Sequence, residues 1–345
     1  MSRESVGKDL TALLEAVARG RSLTADEAEA AFDRFMDGSA SEAQMAGLLV
    51  GLRAKGIHPA EVAGGVRALR KAMLPVASKA TERLVDTAGT GGGLVTTFNI
   101  STAAALVVAG AGIPVAKHGN RSFTSKCGSA DVLEALGVSI DLTPARMGEV
   151  LEQAGIVFMF APLLHPAMKH VGPVRRALGI TTIMNILGPL TNPAGARRQV
   201  VGVADPALLG LVPGALRELG HVRALVVHGE PGLDEVSPVG STRVAELVEG
   251  EIREYEITPK ELGLKAVRVE DLAGGDPARN AEIIERVLAG APGAPRTAVV
   301  MNAAAALRAA GAAESWAEAA RLAEASLDEG KAAGALTRLR EATGA

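Results

Sequence analysis

From Leu84 onward, short apolar runs alternate with helix-length patterns, and that alternation limits the fold more than any other feature of the 345-residue chain. Leu84-Val85 reads as the end of a strand, and further strands are predicted at Val115-Ala116, Ile156–Phe160, Val200–Val203 and Ala224–Val227. Helices are predicted to open near Pro144 and Pro206, between the strands. Strands separated by helices pair in parallel, and a parallel sheet needs helices on its faces. Arg243–Leu247 and Ile252–Ile257 read as a hairpin around Gly250, and from about Ala278 the chain is Ala-rich amphipathic helix. The expected fold is therefore α/β with a mainly parallel central sheet, and ligands in such sheets sit beyond the carboxyl ends of the strands.

Residues up to about Met73 carry helix signals only. Leu10, Leu13, Leu14 and Val17 fall on one face at helical spacing. Thr24 with Glu27, and Ser41 with Gln44, match the capping box, in which a hydroxyl and an acid or amide three residues on satisfy unpaired helix N–H groups. The division expected is a small all-helical domain over 1–73, serving packing or dimerisation, and a large α/β domain over 74–345. The stretch from His165 to Pro193 interrupts the alternation and is expected to return and pack with the N-terminal helices.

Composition narrows the function classes. Aromatic residues make up only 2%, so the core must be built from Ala, Val, Leu and Ile. A net charge of −3 opposes broad electrostatic binding to nucleic acid. Cys127, the single cysteine, excludes an internal disulfide and a multi-cysteine metal site. No uninterrupted apolar run reaches membrane-spanning length, and the N-terminal stretch MSRESVGKDL does not read as a signal peptide; a cytoplasmic protein without a membrane partner is expected.

Chemistry concentrates between Asp86 and Asp131. A glycine cluster (Gly89, Gly91, Gly92, Gly93) precedes Asn99-Ile100-Ser101-Thr102, which opens an apolar helix. Glycines let backbone N–H groups approach an anion, and a helix start adds free N–H groups and partial positive charge. The cluster is neither a Walker loop nor the dinucleotide fingerprint, since no Gly-Lys-Ser/Thr follows and Leu94 takes the third glycine position. A second polar loop, Lys117-His118-Gly119-Asn120-Arg121, follows another strand, and the Ser122–Ser129 segment suits a loop that folds over a phosphate. Two anion-binding loops on adjacent strands fit a ligand with two separated phosphate groups. Asp234-Glu235 offers paired carboxylates for Mg²⁺, a hard ion that prefers oxygen. Arg175 is either a solvated helix arginine or a fork-shaped donor for a carboxylate.

These segments together resemble the anthranilate phosphoribosyltransferase family. The matching motifs are GTGG at Gly89–Gly92, FNIST at Phe98–Thr102, KHGNR at Lys117–Arg121 and GSAD at Gly128–Asp131. Further along are HPAM at His165–Met168, PVR ending at Arg175, NILGPLTNP at Asn185–Pro193, and HGE with GLDE between His228 and Glu235. They span most of the chain in the family's order. The resemblance implies a helical domain that forms a homodimer and an α/β domain of the nucleoside phosphorylase/phosphoribosyltransferase kind. It implies transfer of phosphoribose from 5-phosphoribosyl 1-diphosphate to the amine of anthranilate, with Mg²⁺ as cofactor, in tryptophan biosynthesis. By the family pattern the sugar diphosphate meets Gly89, Gly92, Gly93, Thr97, Asn99, Ile100, Ser101, Thr102, the Lys117–Ser125 loop (Lys117, His118, Gly119, Asn120, Arg121, Ser122, Phe123, Thr124, Ser125) and Ser129. Ser101, Asp234 and Glu235 match Mg²⁺ positions. Gly89, Asn120 and Arg175 match anthranilate contacts, with Pro189 nearby, and His118 and Asn120 are candidates for orienting the amine. The chain departs from the pattern twice: Gly93 replaces an aspartate, and Thr181 replaces an arginine.

Two other readings compete. A pyrimidine nucleoside phosphorylase would share the architecture but use free phosphate, and the GTGG, NIST and GLDE segments favour the transferase. A non-catalytic relative that binds nucleic acid would carry basic stripes, which the net charge of −3 opposes.

Overall fold

In the computed structural model, which describes residues 9–80, 82–93, 95–122 and 126–344, the chain is built on a seven-stranded sheet in the order β3-β2-β1-β4-β5-β6-β7. The strands are β1 Val85–Gly89, β2 Val115–Gly119, β3 Ile156–Phe160, β4 Arg198–Gly202, β5 Arg223–Gly229, β6 Thr242–Val248 and β7 Glu251–Ile257. The first five run parallel, and β6 and β7 add the predicted antiparallel hairpin at one edge. From β1 the chain winds outward to β2 and β3, then returns to β4 and β5. The order therefore reverses between β1 and β4, and the crevice at such a point is where ligands bind in open parallel sheets.

Two boundaries differ from the sequence reading. Leu84-Val85 is not the end of a strand: β1 begins at Val85 and runs through Asp86 and Thr87 to Gly89. Lys117, His118 and Gly119 likewise belong to β2 and not to a loop. The reason is pairing at a distance. Lys117 Nζ bonds Thr87, and His118 N donates to Asp86 Oδ1 at 3.2 Å, so polar residues are satisfied inside the sheet where their polarity suggested a turn.

Side chains alternate across the sheet and feed two cores. Val200, Leu225 and Val227 face one core, where the helices Ile100–Gly110, Ala294–Ala310, Trp316–Asp328 and Lys331–Thr343 pack. Alanine dominates this layer, with Ala303, Ala304, Ala305 and Ala306 fully buried, as the scarcity of aromatics requires. Val201, Val203, Ala224 and Val226 face the second core, together with the helix Leu208–Glu218.

That second core also holds the N-terminal helices Leu10–Ala18, Ala25–Met36, Glu42–Lys55 and Pro59–Ala72. Both expected capping boxes form, at Thr24/Glu27 and Ser41/Gln44. A Cβ at Gly64 would lie 2.3 Å from Ala25 O, so glycine there permits backbone-close packing of two helices. Glu61 locks the bundle: fully buried, it pairs with Lys55 at 2.8 Å and accepts from Leu23 N at 2.8 Å and His58 N at 2.8 Å. Val171, Val174, Ile183, Ile186 and Leu187 of the irregular segment share this core.

Candidate functional site

Four of the five parallel strands, β1, β2, β4 and β5, end in glycine: Gly89, Gly119, Gly202 and Gly229. Packing accounts for it. An added Cβ would lie 2.8 Å from Asp234 Oδ2 at Gly89, 1.7 Å from Asp234 O at Gly202, 2.6 Å from Glu235 O at Gly229 and 2.4 Å from Ser129 Oγ at Gly119. The loop after β5 thus folds back across the carboxyl edge and touches β1 through the Asp234 carboxylate and β4 through the Asp234 backbone carbonyl. Gly91 N donates to Asp234 Oδ2 at 3.0 Å, and Ser101 N, in the first turn of Ile100–Gly110, donates to Glu235 Oε1 at 3.2 Å. Gly91 and Gly92 have φ of +68° and +80°, the left-handed region that side chains disfavour.

Lys117 lies beneath this edge, almost wholly buried, and Nζ donates to Thr87 O, to Thr87 Oγ1 at 3.2 Å and to Ser101 Oγ at 3.3 Å. Burial pulls its pKa below the ordinary lysine value while Asp86 and Glu235 hold it up. Burial raises Asp234, and burial together with Asp234 pushes Glu235 up to about 8. Two adjacent half-buried carboxylates resist carrying charge together, and a divalent cation removes that conflict. Asp234, Glu235 and the Ser101 hydroxyl offer only hard oxygen donors. Among the described residues no group of three or more His, Cys, Asp or Glu could hold a metal by itself. Two carboxylates and a hydroxyl suit Mg²⁺, which takes one or two carboxylates and completes its shell with water and substrate phosphates. A Cβ at Gly93 would stand 3.2 Å from Asp234 Oδ1, so the missing aspartate leaves this pair without a third carboxylate beside it.

The other sequence-predicted residues divide. Asn120 is exposed at the end of β2, its carbonyl accepting from Ser129 Oγ at 3.2 Å. Thr97 pairs with Ala273 in an isolated bridge, and Thr102 Oγ1 is buried without a hydrogen-bond partner among the described residues. Asn99 turns its amide inward, to Cys127 O at 3.2 Å and Asn280 Nδ2 at 2.9 Å. The Ile100 side chain is core. Arg121 is drawn off to Asp131 and Glu134, 2.6 Å from each, and those two acids raise its pKa; its guanidinium also lies over Phe160 at 5.6 Å. Ser122 is half-buried, and Phe123, Thr124 and Ser125 lie outside the described residues.

A second cluster forms on the opposite face of β2. His118 Nε2 lies 3.2 Å from His165 Nε2, so only one of the two nitrogens can carry the shared proton. Burial and the neighbouring His165 lower His118 to about 3, and burial lowers His165 to about 4, leaving both imidazoles neutral near pH 7. Arg175, on the helix Met168–Leu178, has its pKa lowered by burial alone and makes no ion pair among the described residues. Three residues that sequence reasoning missed fix the floor. Asp86 and Gln199 are register partners on β1 and β4; Gln199 Nε2 donates to Asp86 Oδ2 at 3.1 Å and Pro189 O at 2.6 Å, and Asn192 Nδ2 donates to Ala116 O at 2.8 Å. Their signal was polarity inside strand-like or core-bound sequence. At Thr181, where the family pattern has arginine, the backbone carbonyl accepts from Arg53 of the helix Glu42–Lys55.

Comparison with known proteins agrees with this geometry. Residues 81–333 match the family described as glycosyl transferase family, a/b domain, and residues 11–73 match its helical bundle domain. The chain is 51% identical over 327 residues to an anthranilate phosphoribosyltransferase of Xanthobacter autotrophicus, covering 95% of this chain and 94% of that one. It is 48% identical over 324 residues to that of Methanosarcina acetivorans, covering 94% and 87%. The solved anthranilate phosphoribosyltransferase of Thermus thermophilus superposes with a TM-score of 0.91 at 44% identity, covering 96% of this chain and 99% of that one. The Saccharomyces cerevisiae enzyme in complex with PRPP and Mg superposes at 0.87 with 25% identity, covering 99% of each. In its two-domain architecture and along nearly its whole length, this chain belongs to the anthranilate phosphoribosyltransferase family.

Proposed function

We infer that this chain transfers the phosphoribosyl group of 5-phosphoribosyl 1-diphosphate to the amine of anthranilate, giving N-(5-phosphoribosyl)anthranilate and diphosphate, a step of tryptophan biosynthesis. The observation that carries this reading is the edge of β1, β4 and β5, where Asp234 and Glu235 are bonded directly onto the glycine loop and the helix start at Ser101. Near-full-length identity of 51% to a relative of that activity supports it.

Asp234, Glu235 and Ser101 would hold Mg²⁺ against the diphosphate, and bound there the ion supplies charge neutralisation to the departing oxygens. The backbone N–H groups of Gly92 and Gly93, the dipole of Ile100–Gly110 and the Lys117 ammonium add to that field from fixed positions, so they need no reorganisation as charge develops. The sugar carbon becomes oxocarbenium-like as diphosphate leaves, and the aromatic amine attacks from the opposite face. On that side Arg175 reads the anthranilate carboxylate, and the neutral His118 and exposed Asn120 orient the amine. Orientation and charge stabilisation suffice, without a covalent nucleophile.

The same reading takes 1–73 as the helical domain and 74–345 as the α/β domain, and a homodimer formed through the helical part. Val50, on Glu42–Lys55, and Ile180, next to the Thr181 that Arg53 grips, are exposed large apolar side chains at 40% and 45%, which supports a covered face there. A cytoplasmic location follows from the pathway; no helix among the described residues is long and apolar enough to cross a membrane. The test is loss of anthranilate fluorescence with phosphoribosyl diphosphate and Mg²⁺, run beside a nucleoside phosphorolysis control. Consumption only in the first assay supports the transferase, and activity only in the second would replace it with the phosphorylase.

A further inference from the structure

One amide interrupts the alanines of a long, largely buried helix. On Ala294–Ala310, Val299, Val300, Met301, Ala303 and Ala304 are all buried, and Asn302 sits among them at 4% exposure. Asparagine is a poorer helix former than alanine, and a buried amide is costly unless its groups are paired. Here they are. Oδ1 accepts from Val236 N at 2.8 Å, while Nδ2 donates to Val236 O at 3.0 Å and to Ala298 O at 2.9 Å. The side chain thus grips both backbone groups of the residue next to Glu235, as a neighbouring strand would.

The loop does not need this grip to close. Gly229 N already bonds Leu233 O at 2.9 Å, Ser237 N bonds Thr242 Oγ1 at 2.8 Å, and Ser237 Oγ bonds Glu230 O. Those bonds leave out Val236, whose backbone sets the direction of Glu235, a half-buried residue whose carboxylate accepts from Ser101 N at 3.2 Å. Asn302 lines the same cavity as Thr87, Ser101, Asp234 and Glu235. We propose that Asn302 is a positioning residue: by clamping Val236 it aims the Glu235 carboxylate and so sets the affinity of the site for Mg²⁺ and the sugar diphosphate. This rests on the proposed function.

The test is calorimetric titration of phosphoribosyl diphosphate into the full-length protein at graded Mg²⁺, without anthranilate, for the wild type, Asn302→Ala and Asn302→Asp. The aspartate keeps the shape and the acceptor for Val236 N but loses both donors. Removing a group that orients a metal ligand typically weakens binding about 10–100-fold. Both variants should therefore need about ten times more Mg²⁺ or more for half-saturation, while the Michaelis constant for anthranilate at saturating donor and Mg²⁺ changes less than about twofold. Folded variants with wild-type Mg²⁺ dependence and only a lower Tm would overturn the proposal. So would failure of both to fold, which makes the amide a requirement of the fold. Absence of Mg²⁺-dependent donor binding in the wild type would instead remove the functional reading beneath it.

Discussion

Gly202 and Asp234 meet backbone to backbone: a Cβ on Gly202 would stand 1.7 Å from the Asp234 carbonyl oxygen. No rotamer relieves that overlap, because neither atom belongs to a movable side chain. Gly202→Ala should therefore push the Asp234–Glu235 loop off the strand edge and lower Mg²⁺-dependent turnover by roughly 100-fold or more, in the range seen when active-site geometry is displaced by an ångström. Gly210→Ala is the control, an exposed helical glycine with nothing within 4 Å of the added Cβ. It should leave turnover intact and raise stability by about 0.5–1 kcal/mol.

Replacing the carboxylate pair by amides, Asp234→Asn with Glu235→Gln, should abolish most Mg²⁺-dependent turnover without loss of fold. Burial disfavours both charges in the free protein, and Asp234 adds to it at Glu235, so Tm should hold or rise. Activity that still follows a Mg²⁺ titration in the usual way would reject the metal role.

Arg175 lacks an acid partner among the described residues although burial already disfavours its charge. An anionic acceptor supplies that partner. Losing a charge-assisted hydrogen bond typically costs about 1.5–3 kcal/mol, so Arg175→Ala should weaken acceptor use by roughly ten- to a few hundred-fold. The Michaelis constant for the sugar diphosphate should move much less. Steady-state kinetics with each substrate varied in turn separate this from general damage, which would affect both.

Glu61 tests the helical part. Removing one partner of a buried ion pair commonly costs about 3–5 kcal/mol, and Glu61→Ala also strands Leu23 N and His58 N. Chemical denaturation should show a loss of that size, with both Michaelis constants near wild type at a temperature where the variant is folded.

Acid should destabilise the protein through histidines buried in neutral form. Burial lowers His118 and His221 to about 3 and His165 to about 4, against an ordinary value of 6.5. Between those values the unfolded chain binds the extra protons. The stability is thus complete above about pH 6.5 and is lost as pH falls through that value and below. At pH 5 each group should remove about 2 kcal/mol relative to neutral pH. Denaturation midpoints of the wild type and His221→Gln, measured from pH 7.5 to 5, isolate one such group from the opposing effect of Glu235: the variant should lose about 2 kcal/mol less over that range.

What was legible in the sequence follows how far apart the interacting partners lie. Capping boxes at Thr24 and Ser41 are local, and both form as read. Apolar runs located β3, β4 and β5, since burial on both faces writes itself as continuous hydrophobicity, while the half-exposed β7 was found by its alternation after Gly250. The middle of β1 and β2 stayed hidden, because Asp86, Lys117 and His118 are polar and find their partners on other strands. Arg121 was assigned by its neighbours in sequence to a phosphate loop, but in the fold it is paired with Asp131 and Glu134 of the following helix. Gly202 reads only as part of a strand and Gly229 only as part of the HGE segment; the returning Asp234–Glu235 loop is what gives both their steric role.

The second core bears on how this architecture can be taken apart. Phe32, Leu48 and Leu187 share one apolar interior with Val201, Val226 and Leu216 from the sheet and its covering helix. A chain cut after residue 73 would release four helices whose inner faces had lost their lid, and a sheet with one side wetted. The bundle is therefore not a detachable part. Exchanging it between relatives would require moving the Val171–Leu190 strip with it and rematching the strand residues beneath, and heat should melt bundle and sheet in one transition.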